Sequence, residues 1–287
     1  MKEFNISGQT EIWFTEYHTK NTGITFKVKE TLYRKKTKYQ DLVILDTYEY
    51  GKVMILDGLV MLTERDEFVY HEMITHVPIN INPSIENVLI IGGGDCGTLR
   101  EVSKYKHIKK IKMVEIDGEV VKSSKKFFSQ LTKGISKNAK IIIGDGIDFV
   151  KKTKEKFDLI IIDSTDPIGP GEGLFTEEFY KNCHRILSRD GFLTIQAESP
   201  YFYKESVKII YDRMKKVFKD VKPYLAFIPT YPSGMWNFTI CSKKDFNIEV
   251  KNKKLIKPFE KSLKYYNHQI HNSSFALPNF VKRIYDL

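Results

Sequence analysis

From residue 88 to residue 241 the chain alternates short apolar runs with amphipathic stretches, and this rhythm restricts its fold more than any other feature. Strands are predicted at 88–91, 111–115, 140–143, 159–162, 192–196, 226–228 and 237–241. Between them, helical spacing spans 98–105, 118–131, 146–153, 176–187 and 204–218. Strands covered on both faces read as continuous apolar runs, and helix-length connections bring successive strands side by side in parallel. The pattern predicts an α/β chain with a mainly parallel, doubly wound sheet. In such sheets ligands bind beyond the carboxyl ends of the strands, so the residues that end each strand are the candidates for function.

The N-terminal quarter reads differently. ITFKVKETLY alternates polar and apolar positions, and DLVILDTYEYGKVMILDG reads as two strands about a turn near Tyr50-Gly51. A small antiparallel β-domain is expected over residues 1–63, followed by a catalytic domain over 64–287. EFVYHEMITHVPI (67–79) has helical spacing and leads into the sheet. The tail, 272–287, carries Phe275, Leu277, Pro278 and Phe280 and is expected to pack back onto the body.

Composition narrows the function classes. Lys and Arg number 46 against 36 Asp and Glu, a net charge of +10, but the lysines are scattered and no nucleic-acid reading module accompanies them. Nucleic acid is therefore not expected as a partner. Nor is a membrane, because no apolar run approaches the roughly 20 residues that span a bilayer. Residues 1–9 are polar and charged, unlike a signal peptide, so a cytoplasmic location is expected. Cys96, Cys183 and Cys241 are too few and too scattered for a disulfide framework or a Cys-rich zinc site.

Chemistry concentrates at the strand ends. The first strand of the sheet runs into Gly92-Gly93-Gly94-Asp95-Cys96-Gly97, where glycines allow a tight turn and close approach of backbone to a ligand. The second ends in Val114-Glu115-Ile116-Asp117, and an acid there can accept hydrogen bonds from ribose hydroxyls. The third ends in Gly144-Asp145-Gly146, whose carboxylate could receive an adenine amino group. Asp95 would repel a pyrophosphate or the carboxylate of S-adenosylmethionine. It suits decarboxylated S-adenosylmethionine, whose tail ends in a primary ammonium.

The fourth strand ends in Asp163-Ser164-Thr165-Asp166-Pro167-Ile168-Gly169-Pro170, two carboxylates three residues apart on a Pro/Gly-rich turn. Gln196 and Glu198 close the fifth strand, Tyr231 lies in Pro229–Gly234, and Tyr70 and His71 lie on the segment entering the sheet. Paired acids at a ligand-binding edge favour a cationic substrate. A protonated amine cannot attack until a carboxylate within hydrogen-bond reach takes a proton. A neutral thioether leaving group is already activated by the sulfonium, so no metal is expected.

These segments resemble the spermidine synthase family of polyamine aminopropyltransferases. The likeness includes Tyr39-Gln40-Asp41, Leu56-Asp57-Gly58, the run from Thr63 to Met73, the glycine loop, and Asp163–Pro170. It continues through Gln196–Ser199, Pro229–Gly234 and Phe275–Pro278. It implies a methyltransferase-like Rossmann domain beside the small β-domain, assembled as a homodimer or homotetramer. The reaction implied moves the aminopropyl group of decarboxylated S-adenosylmethionine onto putrescine, giving spermidine and 5′-methylthioadenosine. Asp163 would be the catalytic base. Tyr70, Asp166, Gln196, Glu198 and Tyr231 would bind the diamine; Gln40, His71, Asp95, Glu115, Asp145, Gly146 and Pro170 would surround the co-substrate. A mobile gate around residues 164–174 is also implied. Two positions depart from common family forms: Cys96 adds a side chain near the co-substrate, and Met61 stands where many members have Gln.

Three alternatives keep part of this chemistry. An aminopropyltransferase acting on agmatine, cadaverine or a longer polyamine would differ only at the far end of the amine pocket, where one methylene discriminates modestly. A methyltransferase would have to tolerate the carboxylate that Asp95 opposes, and a non-catalytic polyamine-binding protein would need no base.

Overall fold

The alternating N-terminal residues pair into a five-stranded antiparallel sheet in sequential order. Its strands are β1 (Ile12–Thr19), β2 (Thr22–Lys36), β3 (Asp41–Thr47), β4 (Gly51–Leu56) and β5 (Leu59–Thr63). The structure is a computed structural model and describes residues 10–167 and 169–287. The sequence pattern predicts strands only from residue 24, and β1 is the addition. Its polarity is inverted: Ile12, Trp13 and Tyr17 are 60%, 53% and 72% exposed, while Glu16 is buried. A strand with apolar residues facing water and an acid facing inward carries no ordinary alternation signal.

Helix α1 (Glu67–Ile81) follows at once, and all its residues except Phe68 are buried. It packs against both the second sheet and α2 (Gly97–Ser103). The second sheet contains β6 (Asn87–Gly92), β7 (Lys110–Glu115), β8 (Ala139–Ile143), β9 (Phe157–Asp163), β10 (Leu187–Gln196), β11 (Asp220–Phe227) and β12 (Met235–Ser242). Its order is β11-β12-β10-β9-β6-β7-β8, parallel from β10 to β8, with β12 antiparallel to both β10 and β11. Chain direction reverses its outward progress between β6 and β9, which is the switch point where an open α/β sheet leaves a crevice.

Helices α3 (Gly118–Phe127), α4 (Ser129–Thr132), α5 (Gly146–Lys152), α6 (Glu177–Ile186) and α7 (Lys204–Lys215) lie between the strands. The single helix predicted over 118–131 is two, because Phe128 leaves helical backbone (φ −123°, ψ 52°) and its ring is wholly buried. The strand predicted at 226–228 is the end of the longer β11. Val88, Ile90, Leu159 and Ile161 have no exposed surface, and each such side chain contributes about 1.5–3 kcal/mol to stability. The tail forms α8 (His268–Ser274) and α9 (Asn279–Ile284), and Leu277, Val281 and Tyr285 join the core beside α7 and β12. Among the described residues, no helix is long and apolar enough to cross a membrane.

Candidate active site

A cleft opens at the carboxyl edge of the second sheet and is walled on its far side by the N-terminal sheet. Its floor is the β6–β9 switch point. Gly92 pairs with Asp163, and the Gly93 N–H donates to the Asp163 carbonyl at 2.7 Å. Gly92 has φ +82°, and a Cβ there would lie 2.0 Å from that carbonyl oxygen. Only glycine lets the loop turn so close to the neighbouring strand end.

Asp163, the last residue of β9, is 8% exposed. Its Oδ1 accepts the Tyr70 hydroxyl at 2.8 Å, while Oδ2 is buried without a partner. Loss of hydration, reinforced by repulsion from Asp95, pushes the carboxyl up to about 6. Tyr70 comes from α1 and packs against Tyr231, ring centroids 6.0 Å apart. The Tyr231 hydroxyl donates to the Met61 carbonyl at 2.6 Å, so the Pro229–Gly234 turn is tied to β5. A second tie is Asp66, which accepts the Thr63 hydroxyl at 2.7 Å and both the backbone N–H and hydroxyl of Thr230, at 3.0 and 2.7 Å.

The glycine loop presents Asp95 at the mouth of α2, where its Oδ1 accepts the Gly97 N–H at 2.6 Å and lies 3.2 Å from His71 Nε2. Burial works against this carboxylate, but the His71 ring and the Gly97 N–H hold it below its ordinary value. His71 Nδ1 meets Glu67 at 2.6 Å, and Arg100 grips Glu67 with two bonds of 2.9 Å. Cys96 does not line the cleft: its side chain is fully buried in the core behind the glycine loop. Cys96 has φ +72° as the chain enters α2.

On the other side of the loop, Glu115 ends β7 and accepts the Asp117 N–H at 2.8 Å. Burial pushes its carboxyl up to about 7, with repulsion from Asp117 adding to the effect. Gln40 reaches the cleft from the N-terminal sheet, donating to Asp117 at 3.1 Å beside the Thr37 hydroxyl at 2.7 Å. Asp145 lines the cleft and also caps α5, accepting from Ile147 and Asp148 N–H groups at 2.7 and 3.3 Å. The capping and ligand-facing readings of that acid are therefore compatible. Gly146 packs against Ile91, where a Cβ would lie 2.5 Å from a methyl. Pro170 falls in the 3-10 turn Gly169–Phe175, and its side chain lies outside the described residues, as does Ile168.

Beyond Asp163 the cleft continues to Asp166. Burial pushes Asp166 up to about 6, partly offset by Gln196. The Gln196 amide donates to the Ser164 and Thr165 carbonyls at 3.2 and 3.3 Å, pinning the turn. Glu198 is the one expected amine contact that is not on the cleft wall. It sits at φ +60°, buried, with Oε2 unpartnered, and burial plus the Asp166 charge pushes it up to about 7. Glu16 of β1 lines the cleft instead, bonded by the Val60 N–H at 2.7 Å and pushed up to about 7 by burial. Sequence reasoning missed Glu16 because β1 gave no strand signal. Glu67 and Arg100 had a weak one: Glu67 lies one helical turn before His71.

The charge pattern decides what the cleft can hold. Eight carboxyl groups line it (Glu16, Asp66, Glu67, Asp95, Glu115, Asp145, Asp163 and Asp166), and no Lys or Arg does among the described residues. A chain of net charge +10 has built a locally negative crevice, against its own overall field.

Comparison with known proteins agrees with this picture. The profile of the spermine/spermidine synthase domain matches residues 67–283, and that of the spermidine synthase tetramerisation domain matches residues 12–64. A polyamine aminopropyltransferase of Caldicellulosiruptor saccharolyticus is 45% identical over 277 residues, covering 96% of this chain and 99% of its own. One from Alkaliphilus metalliredigens is 47% identical over 276 residues, covering 95% and 97%. A spermidine synthase crystallised with the transition-state analogue AdoDATO superposes with a TM-score of 0.91 at 42% identity, covering 99% of this chain and 98% of that one. The spermidine synthase of Thermotoga maritima gives 0.90 at 40% identity, covering 100% and 98%.

Proposed function

We propose that this chain, which belongs to the spermine/spermidine synthase family of polyamine aminopropyltransferases, transfers the aminopropyl group of decarboxylated S-adenosylmethionine to putrescine. The single observation that carries the reading is the cleft of eight carboxyl groups that no Lys or Arg faces among the described residues, which suits two cationic substrates together. The unit of residues 1–63 would supply one wall and the unit of 64–287 the chemistry.

Each substrate has a seat by chemistry. Asp95 would take the aminopropyl ammonium, and Glu115 the ribose hydroxyls. Asp145 and Gly146 would face the adenine, with Gln40, His71 and Pro170 completing that end. Asp163 would accept a proton from the attacking amine, which then displaces 5′-methylthioadenosine from the carbon beside the sulfonium. Its raised affinity for a proton and its free Oδ2 support that role, because a base must be unprotonated yet able to take a proton near neutrality. Tyr70 would orient it. Asp166 and Gln196 would hold the distal ammonium with Tyr231, and Glu16 would extend the negative wall there. Glu198, off the wall, would act on Asp166 through its charge. Holding both substrates in line would supply much of the rate.

Exposed Ile12, Trp13 and Tyr17 on β1 support assembly of the chain through its N-terminal sheet, as a dimer or tetramer. Mass-spectrometric product analysis tests the chemistry: purified protein is given decarboxylated S-adenosylmethionine with equal putrescine, cadaverine, agmatine and spermidine. Spermidine and methylthioadenosine appearing first is the expected result. Another aminopropylated product would move the substrate. No transfer to any amine would overturn the reading, and methyl transfer in a parallel assay with S-adenosylmethionine would replace it.

A further inference from the structure

His71 stands between two carboxylates from different elements. Glu67 Oε2 lies 2.6 Å from Nδ1, and Asp95 Oδ1 lies 3.2 Å from Nε2. A neutral imidazole carries one N–H and one lone pair, so either tautomer would turn a lone pair on a carboxylate oxygen. Only the doubly protonated ring satisfies both neighbours. The ring has no freedom to turn away. It is 2% exposed, and a Cβ on Gly97 would lie 2.2 Å from its Cε1, so loop backbone is packed directly on it.

Glu67 is itself fixed. Arg100 of α2 gives it two bonds of 2.9 Å in a fork that matches a carboxylate, and a third bond from Arg100 Nε holds Glu101 at 2.8 Å. On the far side, the Gly97 N–H and the nearer His71 contact both fall on Asp95 Oδ1. His71 Nε2 also lies 3.4 Å from Asp95 Oδ2, so these contacts together fix the rotation of the Asp95 side chain.

We propose that Glu67, oriented by Arg100, is a positioning residue that holds His71 doubly protonated and thereby aims the Asp95 carboxylate at the co-substrate ammonium. The proposal rests on the reading that Asp95 receives that ammonium. The charged and titratable groups facing His71 come from every packed element: Glu67 and Tyr70 on α1, Asp95 on the glycine loop, Arg100 on α2 through Glu67, and Asp163 at the end of β9. Burial opposes the charged ring, and Asp95 and Glu67 overcome it, leaving it pushed up to about 10.

Nitrogen-15 spectra of histidine-labelled protein, with His71→Gln to assign the ring, report protonation directly. Expected is a wild-type His71 ring protonated on both nitrogens from about pH 6 to about pH 9. In Glu67→Gln the ring titrates within that range. The dissociation constant for decarboxylated S-adenosylmethionine then rises roughly tenfold at high pH and less at low pH, the scale of one charge-assisted hydrogen bond. A change that was merely structural would not add a titration. A wild-type ring that titrates near its ordinary value overturns the proposal, even if Glu67→Gln does not fold. So does a Glu67→Gln protein with wild-type affinity throughout. Failure of the wild-type protein to bind the co-substrate at all sinks the reading of the cleft instead, and calorimetry on that protein tells the two apart.

Discussion

Asp163 carries the sharpest consequences of any single residue. Its carboxyl loses hydration at the end of β9 and faces Asp95, so it is pushed up to about 6. Below that pH it is protonated and cannot serve as a base; above it, the carboxylate is available. The rate at low amine concentration should therefore rise with pH through an inflection between about 6 and about 7, where Asp166, Glu16 and Glu198 also ionise. A flat pH profile of kcat/KM over that range would remove the basis for the assignment. Asp163→Asn should lower kcat by roughly 10²–10⁴ while leaving the folded protein intact, as single-turnover assays and circular dichroism would show. Gly97 is a second sensitive residue. Alanine there would drive a Cβ into the His71 ring at 2.2 Å, and overpacking of this kind costs about 1–3 kcal/mol. Thermal melts of Gly97→Ala should show the loss, and its affinity for the co-substrate should fall with it.

At the scale of elements, α1 is the part that joins the two sheets to the chemistry. Residues one turn apart share a face, so Glu67, Tyr70 and His71 all meet the cleft while Glu72 points elsewhere. There Glu72 accepts the backbone N–H groups of Lys264, Tyr265 and Tyr266 at 2.9, 2.9 and 2.7 Å, and so anchors the segment before α8. At its start, Asp66 binds Thr63 and Thr230, which couples the helix to β5 and to the turn carrying Tyr231. Asp66→Asn keeps the shape but weakens bonds to two donors on Thr230. Its KM for the amine should rise several-fold while its KM for the co-substrate changes little. Equal changes in both would mean that the turn does not select between the two ends of the cleft.

For the whole molecule, the acidic crevice links folding to pH and to ligand. Glu16, Asp163, Asp166, Glu198 and Glu115 are all pushed above their ordinary values by burial. Folding raises their proton affinity, so in the ligand-free protein stability is lost as pH rises from the ordinary carboxyl range through about 6 to 7. His71, pushed up to about 10, adds a decline in the same direction above its ordinary value. A diamine dication favours the ionised acids and should offset their part of the loss. The melting-temperature gain on adding putrescine should therefore be larger at about pH 8 than at about pH 6. An equal gain at both would argue that Asp163, Asp166 and Glu16 do not face the amine.

The apolar rhythm of residues 88–241 was enough to determine the parallel sheet, because strands covered on both faces must be apolar along their length. Acids at strand ends were equally visible, since Asp95, Glu115, Asp145 and Asp163 follow apolar runs that local pattern detects. What local pattern could not decide was which distant residues meet them. Glu16 comes from a strand with inverted polarity, and Arg100 reaches Glu67 across 33 residues. Glu198 follows the same strand as Gln196, yet Gln196 lies on the wall and Glu198, in left-handed backbone, does not. Such partners are set by packing of α1 and β1 on the sheet, and contacts between elements far apart in the chain exist only once that packing is complete.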